Sequence, residues 1–173
     1  MIQDALKIVV GEGRSLSREE ARDCFQYGLS GNADPVVLGG LLVAMAQRGE
    51  TIAEITGAAE ALRSCMTPFE HDHPDAIDTC GTGGDGSGTF NLSTAAALTA
   101  AAAGASVAKH GNRSVSSKSG SADALSQMGV QVMLPAEAVE KAMAETGIGF
   151  MMAPMHHPAM AHVGPTRAEL GTR

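Results

Sequence analysis

Through the first third of the chain, apolar residues recur at helical spacing between polar punctuation; after Ser64 they gather into short runs that alternate with helical segments. Ile2 to Val10 is a short amphipathic stretch closed by Gly11 and Gly13. Ser17-Arg-Glu-Glu20 and Thr51-Ile-Ala-Glu54 are both capping boxes, so each predicts a helix start. Asp34-Pro35 supplies an N-cap and a first-turn proline for a third helix, Val36 to about Arg48, which Gly49 ends. Its face of Val36, Leu38, Leu41, Leu42 and Met45 is more apolar than one small helical domain needs. Ordinary core packing explains most such faces, and a homodimer contact through part of it is the alternative.

Thr67 to Asp75 is polar and carries Pro68, Pro74, His71 and His73, so it reads as a link between a helical and an α/β part. Two His at alternate positions lack the further ligands zinc requires and are expected at the surface. From Ala76 the period switches. A strand at Ala76 to Thr79, an Ala-rich helix from Leu92 to Ala103 and a strand at Ser106 to Lys109 form a β-loop-α-β unit. A helix from Ser121 to Met128, a strand at Val130 to Leu134, a helix from Pro135 to about Thr146 and a strand at Ile148 to Met152 extend the alternation. The expected division is a helical domain over 1–66, a linker over 67–75 and a mainly parallel α/β domain over 76–173.

Composition narrows the class. The 173 residues are 44% hydrophobic and 18% charged, enough for a buried core, and no stretch approaches the roughly 20 apolar residues of a membrane helix. The start, Met1 to Asp4, is acidic and amphipathic, unlike a secretory leader, which points to the cytoplasm. Cys24, Cys65 and Cys80 are odd in number and far apart, which suits reduced thiols. A net charge of −7 disfavours nucleic acid and acidic membranes. Between Asp85 and Asp123 there is no acid, while Lys109, His110, Arg113 and Lys118 all fall in that window. Beside a Gly-rich turn, this raises the expectation of an anion site.

That turn, Asp78 to Thr94, has five glycines within the eight residues from Gly81 to Gly88, between a strand and a helix N-terminus. Backbone N–H groups approach phosphate oxygens best where no Cβ intervenes, and the helix end adds unpaired donors and a positive dipole. Gly81, Gly83 and Gly86 formally satisfy G-x-G-x-x-G, but a dinucleotide site needs an acid about 20 residues later for the ribose hydroxyls, and none is present. A P-loop needs Lys after its last Gly, and Gly88 is followed by Thr89. The second loop, Lys109 to Ser121, follows the next strand and so belongs at the same carboxyl edge of a parallel sheet. Its Ser114, Ser116, Ser117, Ser119 and Ser121 hydroxyls, with Lys109 and Arg113, suit phosphate oxygens. A phosphorylated ribose fits two such loops.

Asp78-Thr-Cys-Gly-Thr-Gly-Gly-Asp85, Asn91-Leu-Ser-Thr94, Lys109-His-Gly-Asn-Arg113 and Ser116-Ser-Lys-Ser-Gly-Ser121, in this order, closely resemble the anthranilate phosphoribosyltransferases of tryptophan biosynthesis. The resemblance runs along the whole chain, through Met155-His-His-Pro158 to Arg167, and matches the first half of the family's length. It implies a small helical domain plus an incomplete α/β domain of the nucleoside phosphorylase and phosphoribosyltransferase type, a homodimer through the helical domain, Mg2+, phosphoribosyl pyrophosphate and anthranilate. By matching position, it implies phosphoribosyl pyrophosphate contacts at Gly81, Gly84, Asp85, Thr89, Asn91, Leu92, Ser93, Thr94, Lys109, His110, Gly111, Asn112, Arg113, Ser114, Val115, Ser116, Ser117 and Ser121. Ser93 is also the implied magnesium ligand, and Gly81, Asn112 and Arg167 the anthranilate contacts, Arg167 offering the planar fork that suits a carboxylate. The implied pentosyltransferase reaction needs no covalent nucleophile, so Cys80 reads as a small strand-end residue. In the family an adjacent Asp-Glu pair in the second half holds magnesium, and no such dipeptide occurs here. A pyrimidine nucleoside phosphorylase-like enzyme and a non-catalytic helical dimerisation fragment are the alternatives.

Overall fold

The computed structural model describes residues 1–81, 90–114 and 119–171. In chain order its elements are α1 (Ile2–Leu6), a π-helical turn (Lys7–Gly11), α2 (Arg18–Leu29), α3 (Pro35–Arg48), α4 (Ile52–Ser64), α5 (Leu92–Ala102), β1 (Val107–Gly111), α6 (Ser121–Gln127), α7 (Ala136–Thr146), β2 (Ile148–Met152), α8 (Ala153–His156) and α9 (Met160–Leu170). They fall into two compact units. One is Met1–Met66 with the described residues from His157 onward; the other is Thr67–His156. By contacts, 67–75 lies within the second unit, and α9 lies with the helical one, where it packs on α2 and α3.

In the helical unit the expected caps form. Ser17 accepts from the Glu20 N–H at 3.1 Å while Glu20 takes the Ser17 N–H at 2.8 Å. Asp34 accepts from Val36 and Val37, with Pro35 opening α3. Ile2, Ala5, Val9, Leu16, Ala21, Cys24, Leu38, Leu41 and Met45 form the core. The Thr51 box does more than cap. The Glu54 carboxylate is only 1% exposed and accepts from the Leu16 N–H (2.8 Å), the Thr51 N–H (2.9 Å) and Arg48 Nη2 (2.7 Å), joining α4 to the segment before α2 and to the end of α3. Of the apolar α3 face, Leu38, Leu41 and Met45 are core, Leu42 packs partly against it, and Val36 is 82% exposed.

In the second unit, β1 and β2 pair in parallel, Val107 opposite Ile148 through Gly111 opposite Met152. Alternation along the strands sends Ala108 and Met151 into a core with Val139 and Met143 of α7, and Phe150 and Met152 towards Ala122 and Leu125 of α6. The strand expected at 76–79 is reduced to one parallel bridge, Ile77 opposite Val107. The next ladder bond would take the His110 N–H to a backbone carbonyl, but the Asp78 carboxylate accepts it and ends the pairing. The strand expected at 130–134 does not form: no described strand lies beside that stretch, and an apolar alternation without a pairing partner is not a strand. No described helix is long and apolar enough to cross a membrane.

Candidate functional site

The Gly-rich segment follows the Ile77 bridge and the basic segment follows the neighbouring β1, and one carboxylate joins their starts. Asp78 Oδ1 accepts from the Cys80 N–H at 2.8 Å and from the His110 N–H at 3.2 Å, while Oδ2 lies 2.9 Å from His110 Nδ1. The first of these is an Asx turn, which sends the chain away from the sheet towards Gly81. The Thr79 hydroxyl donates to the Ser93 carbonyl at 2.8 Å, tying this turn to the first turn of α5. A Cβ at Gly81 would lie 3.5 Å from Ser93 Oγ, so Gly81 and the Ser93 hydroxyl are neighbours.

At the start of α5, Asn91 makes no side-chain cap. Its amide instead donates to Ser119 Oγ and to the Gly120 carbonyl, both at 3.3 Å, which links the helix end to the second loop. Leu92 is exposed. Thr94 is 4% exposed, and its Oγ1 has no hydrogen-bond partner among the described residues.

The second loop leaves β1 through a tight neck. Lys109 is only 3% exposed, and its Nζ donates to the His110 carbonyl at 3.1 Å. The Asn112 carbonyl accepts from the Ala122 N–H at 3.1 Å, and the Asn112 N–H donates to Ser121 Oγ at 3.2 Å. A Cβ at Gly111 would strike Ser121 Oγ and the Phe150 ring, and one at Gly120 would strike the backbone of Asn112, Arg113 and Ser114, so both positions need glycine for this close approach. Asp123 closes the neck. Its Oδ2 accepts from the Ser114 N–H (2.8 Å) and the Gly120 N–H (2.9 Å), and its Oδ1 from Arg113 Nη1 (3.2 Å). Those two backbone N–H groups, with Arg113 behind them, hold the Asp123 carboxyl below the usual carboxylate range.

The structure thus brings Gly81, Asn91, Leu92, Ser93, Thr94, His110, Gly111, Asn112, Arg113, Ser114 and Ser121 into one region of the second unit, with Lys109 buried beneath it. Gly84, Asp85, Thr89, Val115, Ser116 and Ser117 lie outside the described residues. Arg167 is exposed in the last turn of α9, in the helical unit. Asp78, Thr79 and Asp123 were not singled out by sequence as functional. Their signals were a Thr-flanked acid three residues before the first glycine of the Gly-rich turn, and the acid that closes the acid-free window at the third position of a helix. The window is also less positive than its composition suggests, because Arg113 meets Asp123.

The chemistry available here is anion binding by backbone N–H groups and hydroxyls at the end of a parallel sheet. Cys80 is exposed, with Sγ 3.5 Å from the Gly81 carbonyl. Among the described residues no three His, Cys, Asp or Glu converge to hold a metal. Ser93 gives a single hydroxyl, which fits a divalent cation only where substrate oxygens and water complete its shell.

The sequence profile described as glycosyl transferase family, helical bundle domain, matches residues 4–66, and that of the same family's a/b domain matches 73–173. An anthranilate phosphoribosyltransferase of Bradyrhizobium diazoefficiens is 54% identical over 98% of the chain, and one of Rhizobium meliloti 56% over 95%. The chain spans 51% and 48% of these relatives, about half their length. Among solved structures, the anthranilate phosphoribosyltransferase of Thermus thermophilus superposes with a TM-score of 0.90 at 48% identity, over 98% of this chain and 51% of that one. The enzyme of Saccharomyces cerevisiae in complex with PRPP and Mg gives 0.89 at 27% identity, over 99% and 52%. With both domain profiles in place and in order, the chain belongs to the glycosyl transferase family that pairs a helical bundle with an a/b domain.

Proposed function

We propose that the described region of the second unit binds phosphoribosyl pyrophosphate, and that the chain serves anthranilate phosphoribosyl transfer. In that reaction the anthranilate amine attacks the ribose anomeric carbon, a C–N bond forms as the C–O bond to pyrophosphate breaks, the amine loses a proton, and N-(5-phosphoribosyl)anthranilate and pyrophosphate result. The observation that carries this reading is the Asp78 knot, which starts both loops from one carboxylate beside the N-terminus of α5. The relatives' names and the yeast complex with PRPP and Mg support the choice of ligand.

In this reading the N–H groups and hydroxyls of Gly81, Asn91, Ser93, Asn112 and Ser121 position the diphosphate and ribose, and binding geometry supplies the rate. Asn112 and Gly81 also border the anthranilate. Ser93 would give Mg2+ one hydroxyl, and the ion would supply charge neutralisation of the leaving group. Lys109, buried within β1, holds the start of the second loop through its Nζ on the His110 carbonyl. A second copy of the chain packs on the helical unit, a role supported by exposed Val36 and Val43 along the groove of about 760 Å3 between α3 and α9. Titrating phosphoribosyl pyrophosphate with Mg2+ into the chain by calorimetry tests the reading. Saturable heat that is lost in Asn112→Ala supports it; no heat in the unsubstituted chain overturns it.

A further inference from the structure

Resting on that reading, we infer that Asp123 is a positioning residue: it closes the neck of the second loop and so sets where Asn112, Arg113 and Ser114 stand to meet the ligand. An acid at the third position of a helix ordinarily caps by taking one N–H from the residue before the helix, here Gly120. Asp123 does this, but the same oxygen also accepts from Ser114, which lies nine residues upstream on the opposite side of the neck. The second oxygen accepts from Arg113 Nη1 at 3.2 Å, which tethers one corner of that guanidinium to the neck.

Three neighbours agree with this. The glycine at 120 is required because the Asn112 to Ser114 backbone comes so close. The Ala122 N–H donates to the Asn112 carbonyl, which makes a second rung across the neck beside the Asp123 rung. Asn91 reaches the Gly120 carbonyl from α5, so the position Asp123 imposes on Gly120 is passed to the helix end that faces the ligand. Without the carboxylate, the Ser114 and Gly120 N–H groups turn to water and the Arg113 fork is released, while the core under α6, built by Ala122 and Leu125, stays as it is. The consequence is a loss of ligand affinity out of proportion to the loss of stability.

Asp123→Ala and Asp123→Asn test this by amide hydrogen exchange at Ser114 and Gly120 and by calorimetry with phosphoribosyl pyrophosphate and Mg2+, below the melting temperature of each variant. Removing charge-assisted hydrogen bonds predicts at least about tenfold faster exchange at both amides and about tenfold weaker binding in Asp123→Ala. Asp123→Asn keeps a carbonyl oxygen for the two N–H groups and loses the ion pair, so it recovers most of the protection and part of the affinity. Should Asp123→Ala unfold, the Asn variant decides alone: binding and exchange both equal to the unsubstituted chain overturn the inference. Faster exchange with unchanged affinity also overturns it, since the neck then has no bearing on the ligand. No heat in the unsubstituted chain overturns the substrate reading itself and the positioning role with it, and that outcome is told apart by its appearing before any substitution is made.

Discussion

Glu54 is the clearest case of a side chain doing two jobs at once. Burial pushes its carboxyl up, but the N–H groups of Thr51 and Leu16, together with Arg48, outweigh that and bring it to about 2. A carboxyl held below its ordinary value of 4.5 stabilises the fold above that pH, and the contribution fades as pH falls from there towards 2. Fully developed it is worth about 3 kcal/mol, so Glu54→Gln should lose that much in chemical denaturation at pH 7, and the gap to the parent should close near pH 2. At Asp78, a carboxylate acting only as acceptor leaves the ring proton on His110 Nδ1. Nitrogen-detected spectra of the chain should show that tautomer, and Asp78→Asn should mix it with the Nε2–H form. Glu54 was visible in sequence as the far half of a capping box, because caps are local; its reach to Leu16, 38 residues away, was not, because only the packed chain brings them together.

The same division holds for elements. Helix starts at Ser17, Asp34 and Thr51 depend on bonds within three residues, and all three formed as read. Ser17→Ala should therefore cost about 1 kcal/mol, seen as a lower melting temperature of the helical signal. Strands depend on partners, so their legibility was partial. Ile148 to Met152 pairs along its length, Ile77 has a single bridge because Asp78 intervenes, and 130–134 packs its Val132 and Leu134 inward but has no paired strand among the described residues. The loops gave up their composition but not their bonding: serines and glycines announced an anion site, while the positions of Asp78 and Asp123 marked them only as local caps and gave no sign of their reach to His110 and Ser114.

For the molecule as a whole, two units follow from the change of period after Ser64, but α9 could not be assigned from its own pattern, since Pro165 interrupts it and its apolar residues are few. The chain spans about half of its relatives' length, and the proposed ligand lies in the second unit. Anything that binds the folded form alone stabilises it by mass action, so phosphoribosyl pyrophosphate at about one hundred times its dissociation constant should add about 2.7 kcal/mol, read as a rise in melting temperature that Asn112→Ala abolishes. The burial of Lys109 has a further, purely chemical consequence. Lys7 and Lys141 hold their amines in water, whereas Lys109 is buried within β1 with its amine on the His110 carbonyl. Brief treatment with an amine acylating reagent should mark Lys7 and Lys141 and spare Lys109 while the fold stands, so acylation of Lys109 becomes a clock for the opening of the sheet.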